Sequence, residues 1–175
     1  MKTLFVLAGG ASSRFGSSKP RHVFRGKPLA SWVAEAAQGA GLRPVLLVKD
    51  LGLAELGWPV FQESNSESFY PLRAMLEALS ALPEGESALF CPCDLPLLRS
   101  DSLAALSMVS APSVAWDGVR VHPLLCQLAS SQAADLAEWV RQQGSAQGFL
   151  AEAKRVRIPA GELHNINRPE DLVSG

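Results

Sequence analysis

Three continuously apolar runs, separated by helical stripes, constrain this chain more than any other feature. Residues 3–8 (TLFVLA), 43–48 (RPVLLV) and 87–94 (SALFCPCD) have the pattern of strands buried on both faces. WPVF at 58–61 reads as a shorter fourth strand. Residues 28–39 (PLASWVAEAAQG) predict a helix, with Pro28 near its first turn and glycine at its end. Residues 72–82 (LRAMLEALSAL) carry apolar side chains at 72, 75, 76, 79 and 82, a helical stripe. Residues 100–109 predict a helix opened by Ser100 or Asp101, and 133–142 predict another. Doubly buried strands alternating with helices dictate an α/β fold with a largely parallel sheet. One stretch departs from this: Asp117-Gly118, between two β-rich runs, predicts a two-residue hairpin within 113–128. Pro123 cannot donate to a central ladder, which puts that hairpin at an edge or projecting from the sheet. Pro169 is expected to start a short terminal helix.

A length of 175 residues suits one domain, 1–175, with no repeat or linker. With 47% hydrophobic and 19% charged residues the chain is globular, and a net charge of −1 argues against nucleic acid or an anionic membrane as a partner. TLFVLA is too short for a signal or a membrane span. Cys91, Cys93 and Cys126 are an odd count that fits reduced, buried thiols and a cytoplasmic location. The charge is uneven, however. Lys2, Arg14, Lys19, Arg21, Arg25 and Lys27 all precede the first acid, Glu35, so an anion would be bound at one place near the N-terminus.

That place is LAGGASSRFGSSKP, residues 7–20, directly after the first strand. Glycines let successive backbone N–H groups approach an anion, and Lys and Arg add charge-assisted hydrogen bonds. The chemistry suggested is polyphosphate binding; the alternative is a tight strand-to-helix turn with incidental basic residues. Neither the P-loop nor the dinucleotide fingerprint fits the glycine spacing. Ligands of such sheets bind beyond the carboxyl ends of the strands, where this loop, Lys49-Asp50 and Asp94 all fall.

The spacing Leu7-Ala8-Gly9-Gly10-x-Ser12-x-Arg14-x-Gly16-x-x-Lys19, followed by Gly26-Lys27-Pro28-Leu29, resembles the signature loop of the Rossmann-like nucleotidyltransferases. Among them it is most similar to the molybdenum cofactor guanylyltransferases, which join GMP from GTP onto the phosphate of molybdopterin and release pyrophosphate. Gly10 favours the guanylyl branch, since the relatives that use CTP usually carry Ala there. LFCPCDLPLL (89–98), HPLL (122–125) and HNINRPEDL (164–172) extend the resemblance in order down the chain. It implies a three-layer sandwich fold and Mg²⁺ as cofactor. Leu7, Ala8, Gly9 and Gly10 would contact the nucleotide, and Lys19 and Arg14 would act on its phosphates. Asp94 would bind the metal, and His122, Asn165 and Asn167 would lie on the acceptor side. Transient contact with cofactor delivery proteins is implied as well. Phosphoryl-type transfer is mostly positioning and charge neutralisation, and the acceptor phosphate is its own nucleophile.

The chain departs from the family pattern in three places. Lys49 stands where an Asn is usual, Tyr70-Pro71-Leu72-Arg73-Ala74 replaces a Gly-Pro-Leu-x-Gly stretch, and Glu63 replaces an aspartate. All three lie on the base and ribose side, where Lys49 and Glu63 are the candidate contacts. Read without the resemblance, Lys49 is equally a solvated strand end and Glu63 an ordinary loop acid. Likewise Asp94 reads as a strand-end cap, His122 as a packed edge histidine, and Asn165 and Asn167 as helix caps. Two rival functions follow: a transferase for CTP or a sugar phosphate, and a non-catalytic nucleotide-binding relative.

Overall fold

The computed structural model describes residues 1–9, 19–64 and 70–166. In chain order these form β1 (Thr3–Leu7), the small pair β2 (Val23–Phe24) and β3 (Lys27–Pro28), α1 (Leu29–Gly39), β4 (Arg43–Val48) and β5 (Val60–Gln62). Then come α2 (Pro71–Ser80), β6 (Ser87–Pro92), α3 (Ser100–Met108), β7 (Ser113–Trp116), β8 (Val121–Ala129), α4 (Ala133–Arg141), α5 (Ala146–Phe149) and β9 (Lys154–Arg157). Seven strands make one sheet in the order β5-β4-β1-β6-β8-β7-β9. β5, β4, β1 and β6 are mutually parallel, and β8 runs against both β6 and β7.

The continuous apolar runs become strands because both sheet faces are covered. Leu4 and Val6 of β1, Leu46 and Val48 of β4 and Leu89 and Cys91 of β6 pack beneath α1 and α3. Their alternates Phe5, Leu47 and Phe90 pack beneath α2 and α4. Alternate side chains point to opposite faces, so each run feeds two cores, and the result is a three-layer α/β/α sandwich.

Of the two placements expected for the hairpin, an edge or a projection, the structure has the projection. β8 and β7 sit inside the sheet, and β9, a strand the periodicity did not announce, forms the edge. Pro123 is tolerated there because the last β6–β8 pair is Phe90↔Cys126, and because the β7–β8 register shifts between Val114 and Ala115. A proline at a bulge, past the end of one ladder, removes no ladder hydrogen bond. Beyond that point the hairpin projects. Its loop runs over Asp117–Arg120 rather than two residues: Asp117 N–H donates to the Arg120 carbonyl, and the Asp117 carboxylate accepts from the Val119 and Arg120 N–H groups.

One expectation about a helix end also changes. α3 starts at Ser100, but the residue before it, Arg99, has no side-chain cap; instead the Arg99 N–H donates to Glu162 at 3.0 Å. The helix expected from Pro169 lies outside the described residues. Cys91, Cys93 and Cys126 are free and buried. Burial first of all pushes the thiols up, that of Cys93 to about 12, which leaves them un-ionised packing groups.

Candidate active site

The parallel register aligns three strand ends. Leu7 of β1 pairs with Leu47 of β4 on one side and with Pro92 of β6 on the other. Gly9, Lys49 and Asp94 each stand two residues beyond that row. On the far side of β4, Val48 pairs with Gln62, so Glu63 emerges beside Lys49. The Glu63 N–H donates to the Val48 carbonyl at 2.8 Å, which holds the loop in place.

Lys19 re-enters the described chain in a 3-10 turn, Lys19–Arg21, and its Nζ donates to Asp94 Oδ2 at 2.7 Å. The pair is well shielded, at 19% and 13% side-chain exposure, whereas Arg21–Glu55 on the surface stands at 38% and 62%. Asn165 completes the arrangement: its Nδ2 donates to Asp94 Oδ1 at 3.0 Å, and the Ile166 N–H donates to the Asp94 carbonyl at 2.9 Å. Both carboxylate oxygens of Asp94 are thereby oriented.

At Gly9 a side chain would have to displace Glu63. A Cβ there would come within 2.2 Å of Glu63 Oε1 and 3.1 Å of Lys49 Cγ, so the three residues converge. Burial raises the Glu63 carboxyl above its ordinary value; the nearby Lys49 opposes this and Glu77 adds to it. Ala8 donates its N–H to the Leu47 carbonyl at 2.9 Å.

On the other side of Asp94 a cleft of about 500 Å³ opens, lined by Trp116, Arg120, His122, Gln147, Arg155 and Asn165 among others. His122 lies four residues along β8 from Cys126, and Asp94 four residues along β6 from its partner Phe90, toward the same end of the sheet. His122 Nε2 is 2.9 Å from Asp117 Oδ2. The Arg120 N–H above all, then His122 and the Val119 N–H, holds the Asp117 carboxyl well below the usual carboxylate range.

Lys19, Asp94 and Asn165 thus meet at one point, Gly9, Lys49 and Glu63 at a second beside it, and His122 shares a cleft with Asn165. Leu7 and Ala8 end the strand beneath. Gly10, Arg14 and Asn167 lie outside the described residues. The basic N-terminal cluster does not converge as its sequence order suggests. Lys2 reaches the Ser107 carbonyl and Gln127, Arg21 pairs with Glu55, and Lys27 pairs with Glu35 and covers the Trp32 ring. Among the described members, only Lys19 reaches Asp94. Gln147, Arg155 and Trp116 line the cleft although the sequence did not single them out for it; for Arg155 the only signal is the alternation of Val156 and Ile158 in a basic stretch.

The donor set suits a hard cation held largely by water and phosphate. Asp94 supplies one carboxylate beyond the end of β6, and among the described residues no group of three His, Cys, Asp or Glu forms a protein cage.

A family model described as a MobA-like NTP transferase domain matches residues 4–156. The chain is 31% identical to a molybdenum cofactor guanylyltransferase of Cereibacter sphaeroides over 95% of its own length and 91% of the relative's. It is 30% identical to a probable molybdenum cofactor guanylyltransferase of Bacillus licheniformis, covering 95% and 92%. Its fold is similar to that of molybdopterin-guanine dinucleotide biosynthesis protein A from Archaeoglobus fulgidus, with a TM-score of 0.74 at 22% identity, over 99% of this chain and 95% of that one.

Proposed function

Because the chain belongs to the MobA-like NTP transferase family, we propose that it transfers GMP from GTP to the phosphate of molybdopterin and releases pyrophosphate. The observation that carries this reading is the shielded Lys19–Asp94 pair, 2.7 Å apart beyond the ends of β1 and β6. Simple nucleotide binding has little use for a lysine and a carboxylate fixed against each other at the phosphate position.

In the reaction an oxygen of the acceptor phosphate forms a bond to the α-phosphorus. The bond from that phosphorus to the bridging oxygen breaks, and its electron pair leaves with pyrophosphate. Lys19 holds the triphosphate and offsets the charge that builds on it, with Arg14 acting on the same phosphates. Asp94, oriented by Asn165, holds Mg²⁺, which supplies charge neutralisation when bound. Leu7, Ala8, Gly9 and Gly10 carry the nucleotide along the strand end, and Lys49 and Glu63 read base and ribose. His122, Asn165 and Asn167 receive the acceptor.

Thermal stabilisation by GTP, CTP, ATP and UTP, each with Mg²⁺, tests the reading. A ligand at one hundred times its Kd adds about 2.7 kcal/mol. GTP is expected to stabilise selectively, and pyrophosphate to appear only when molybdopterin is added. Lys49 and the Tyr70–Ala74 stretch favour one second reading, transfer from CTP, and a CTP-selective shift would replace the first reading with it.

A further inference from the structure

We infer that Glu162 is a positioning residue of the transfer site: it fixes the loop that carries Asn165, and through Asn165 the set of the Asp94 carboxylate. That role rests on the nucleotidyl-transfer reading, in which Asp94 stands at the reacting phosphates. Two short segments carry the geometry, 94–99 after β6 and 162–166, which begins in the 3-10 turn Ala160–Leu163. They run past each other in opposite directions and are joined at both ends. At one end Asp94 accepts from the Ile166 N–H at its carbonyl and from Asn165 at its carboxylate. At the other end the Arg99 N–H donates to Glu162 Oε2 at 3.0 Å.

Between those ends, Leu95, Leu98 and Leu163 are buried in one core, and the Leu98 N–H closes a turn onto the Leu95 carbonyl at 3.1 Å. The stretch from Asp94 to Arg99 is therefore a compact unit, and a grip on Arg99 is a grip on Asp94. Asn165 is held from both sides. Ile166, buried with Phe24 and Leu29, anchors it downstream, and Glu162 anchors it upstream.

Leu163 already seats this turn in the core, so packing alone does not call for a carboxylate at 162. Glu162 is only 9% exposed, and a charge so placed is costly unless it is hydrogen-bonded. Its bond is made at the start of α3. In a capping box the third residue of a helix, a Glu or Gln, reaches back to the N–H of the residue before the helix. Here the third residue is Ser102, which has no such arm, and Arg99 makes no side-chain cap. Glu162, 63 residues further on, supplies that bond instead. The Arg99 guanidinium lies beside Asp101, at 3.6 Å. An anion at this end of α3 is also favoured by the peptide dipoles. A glutamate at 102 would cap α3 as well but leave the Asn165 loop untied; the long-range cap joins the two.

Pyrophosphate release with GTP and molybdopterin is followed in Glu162→Gln, Glu162→Ala, Asn165→Ala and the double variant Glu162→Ala/Asn165→Ala. The ¹H–¹⁵N signals of the Asn165 side-chain amide, identified by their loss in Asn165→Ala, are recorded on the same samples. Glu162→Gln keeps an oxygen for the Arg99 N–H and should retain the parental kcat and amide signals. Glu162→Ala is expected to move those signals toward the values of an exposed asparagine. Its kcat should fall about tenfold, the lower end of the loss seen when a supporting partner of a site residue is removed. If Glu162→Ala does not fold, Glu162→Asp, one methylene shorter, takes its place with the same expected direction. The double variant should lose no more than Asn165→Ala alone, because the glutamate acts only through the asparagine. Leu106→Ala, a cavity at a fully buried position of α3, should lower Tm and leave kcat and the amide signals in place. Unmoved amide signals in Glu162→Ala, additive losses in the double variant, or the same loss of kcat in Leu106→Ala would overturn the role. Moved amide signals in a protein that releases no pyrophosphate from any nucleoside triphosphate would keep the tie between Glu162 and Asn165 and sink the nucleotidyl-transfer reading.

Discussion

Asp94 and Gly9 do opposite things with the same strand-end geometry, one projecting a charge and the other leaving a space. Asp94→Asn keeps the size of the side chain but removes the charge that faces Lys19. Pyrophosphate release is expected to fall by about 10²–10³-fold, the loss typical of removing one electrostatic contact at a reacting centre. Gly9→Ala drives a methyl group into Glu63 Oε1, 2.2 Å away, at the end of a flexible side chain. The fold should survive while Glu63 is displaced, so GTP affinity should fall with little change in Tm; unchanged affinity would remove Glu63 from the nucleotide side. Glu63 also carries a pH signature. Its carboxyl is raised in the folded protein, so it favours folding below its ordinary value of 4.5 and loses that contribution as pH rises through the raised value. Glu63→Gln should gain in Tm relative to the parent as pH increases from acid to neutral, measured as paired melts across that range.

At the scale of elements, the β7–β8 hairpin is held by Asp117, which binds two backbone N–H groups and His122. A depressed carboxyl contributes stability above its ordinary value of 3.8 and loses it as pH falls. Asp117→Asn should therefore melt below the parent at neutral pH, with the gap closing in acid; a gap independent of pH would assign it to lost geometry alone. The same hairpin marks how far the sequence could be read. β1, β4 and β6 were legible because burial on both faces leaves a continuous apolar run. The position of β8 was not, since Pro123 signals only that a ladder is interrupted, and a bulge interrupts it in mid-sheet as well as an edge does. β9 was illegible because an edge strand needs few apolar residues, and Val156 is its one buried member. Lys19 and Asp94 were legible through their spacing in the resemblance. The Asn165 contact to Asp94 was not, because it joins residues 71 apart through a loop without periodicity.

Over the whole molecule, the two large cores lie on opposite faces of the sheet, and Phe90 is fully buried within it, stacked on Phe5 at 5.6 Å. Phe90→Ala should cost about 3–5 kcal/mol in denaturant unfolding. No described helix is long and apolar enough to cross a membrane. The sheet order also divides the site along the chain: β1, β4 and β5 bring Gly9, Lys49 and Glu63, and β6, β8 and β9 bring Asp94 and the cleft. The seam between the halves is the contact of Lys19 with Asp94, 75 residues later. At synthesis rates of about 5–20 residues per second, a growing chain carries Lys19 for roughly 4–15 seconds before the matching aspartate has been made. On the proposed reading, a metal–triphosphate complex would be held only after β6 has docked beside β1, so that on the ribosome capture of GTP would report that the central sheet has closed.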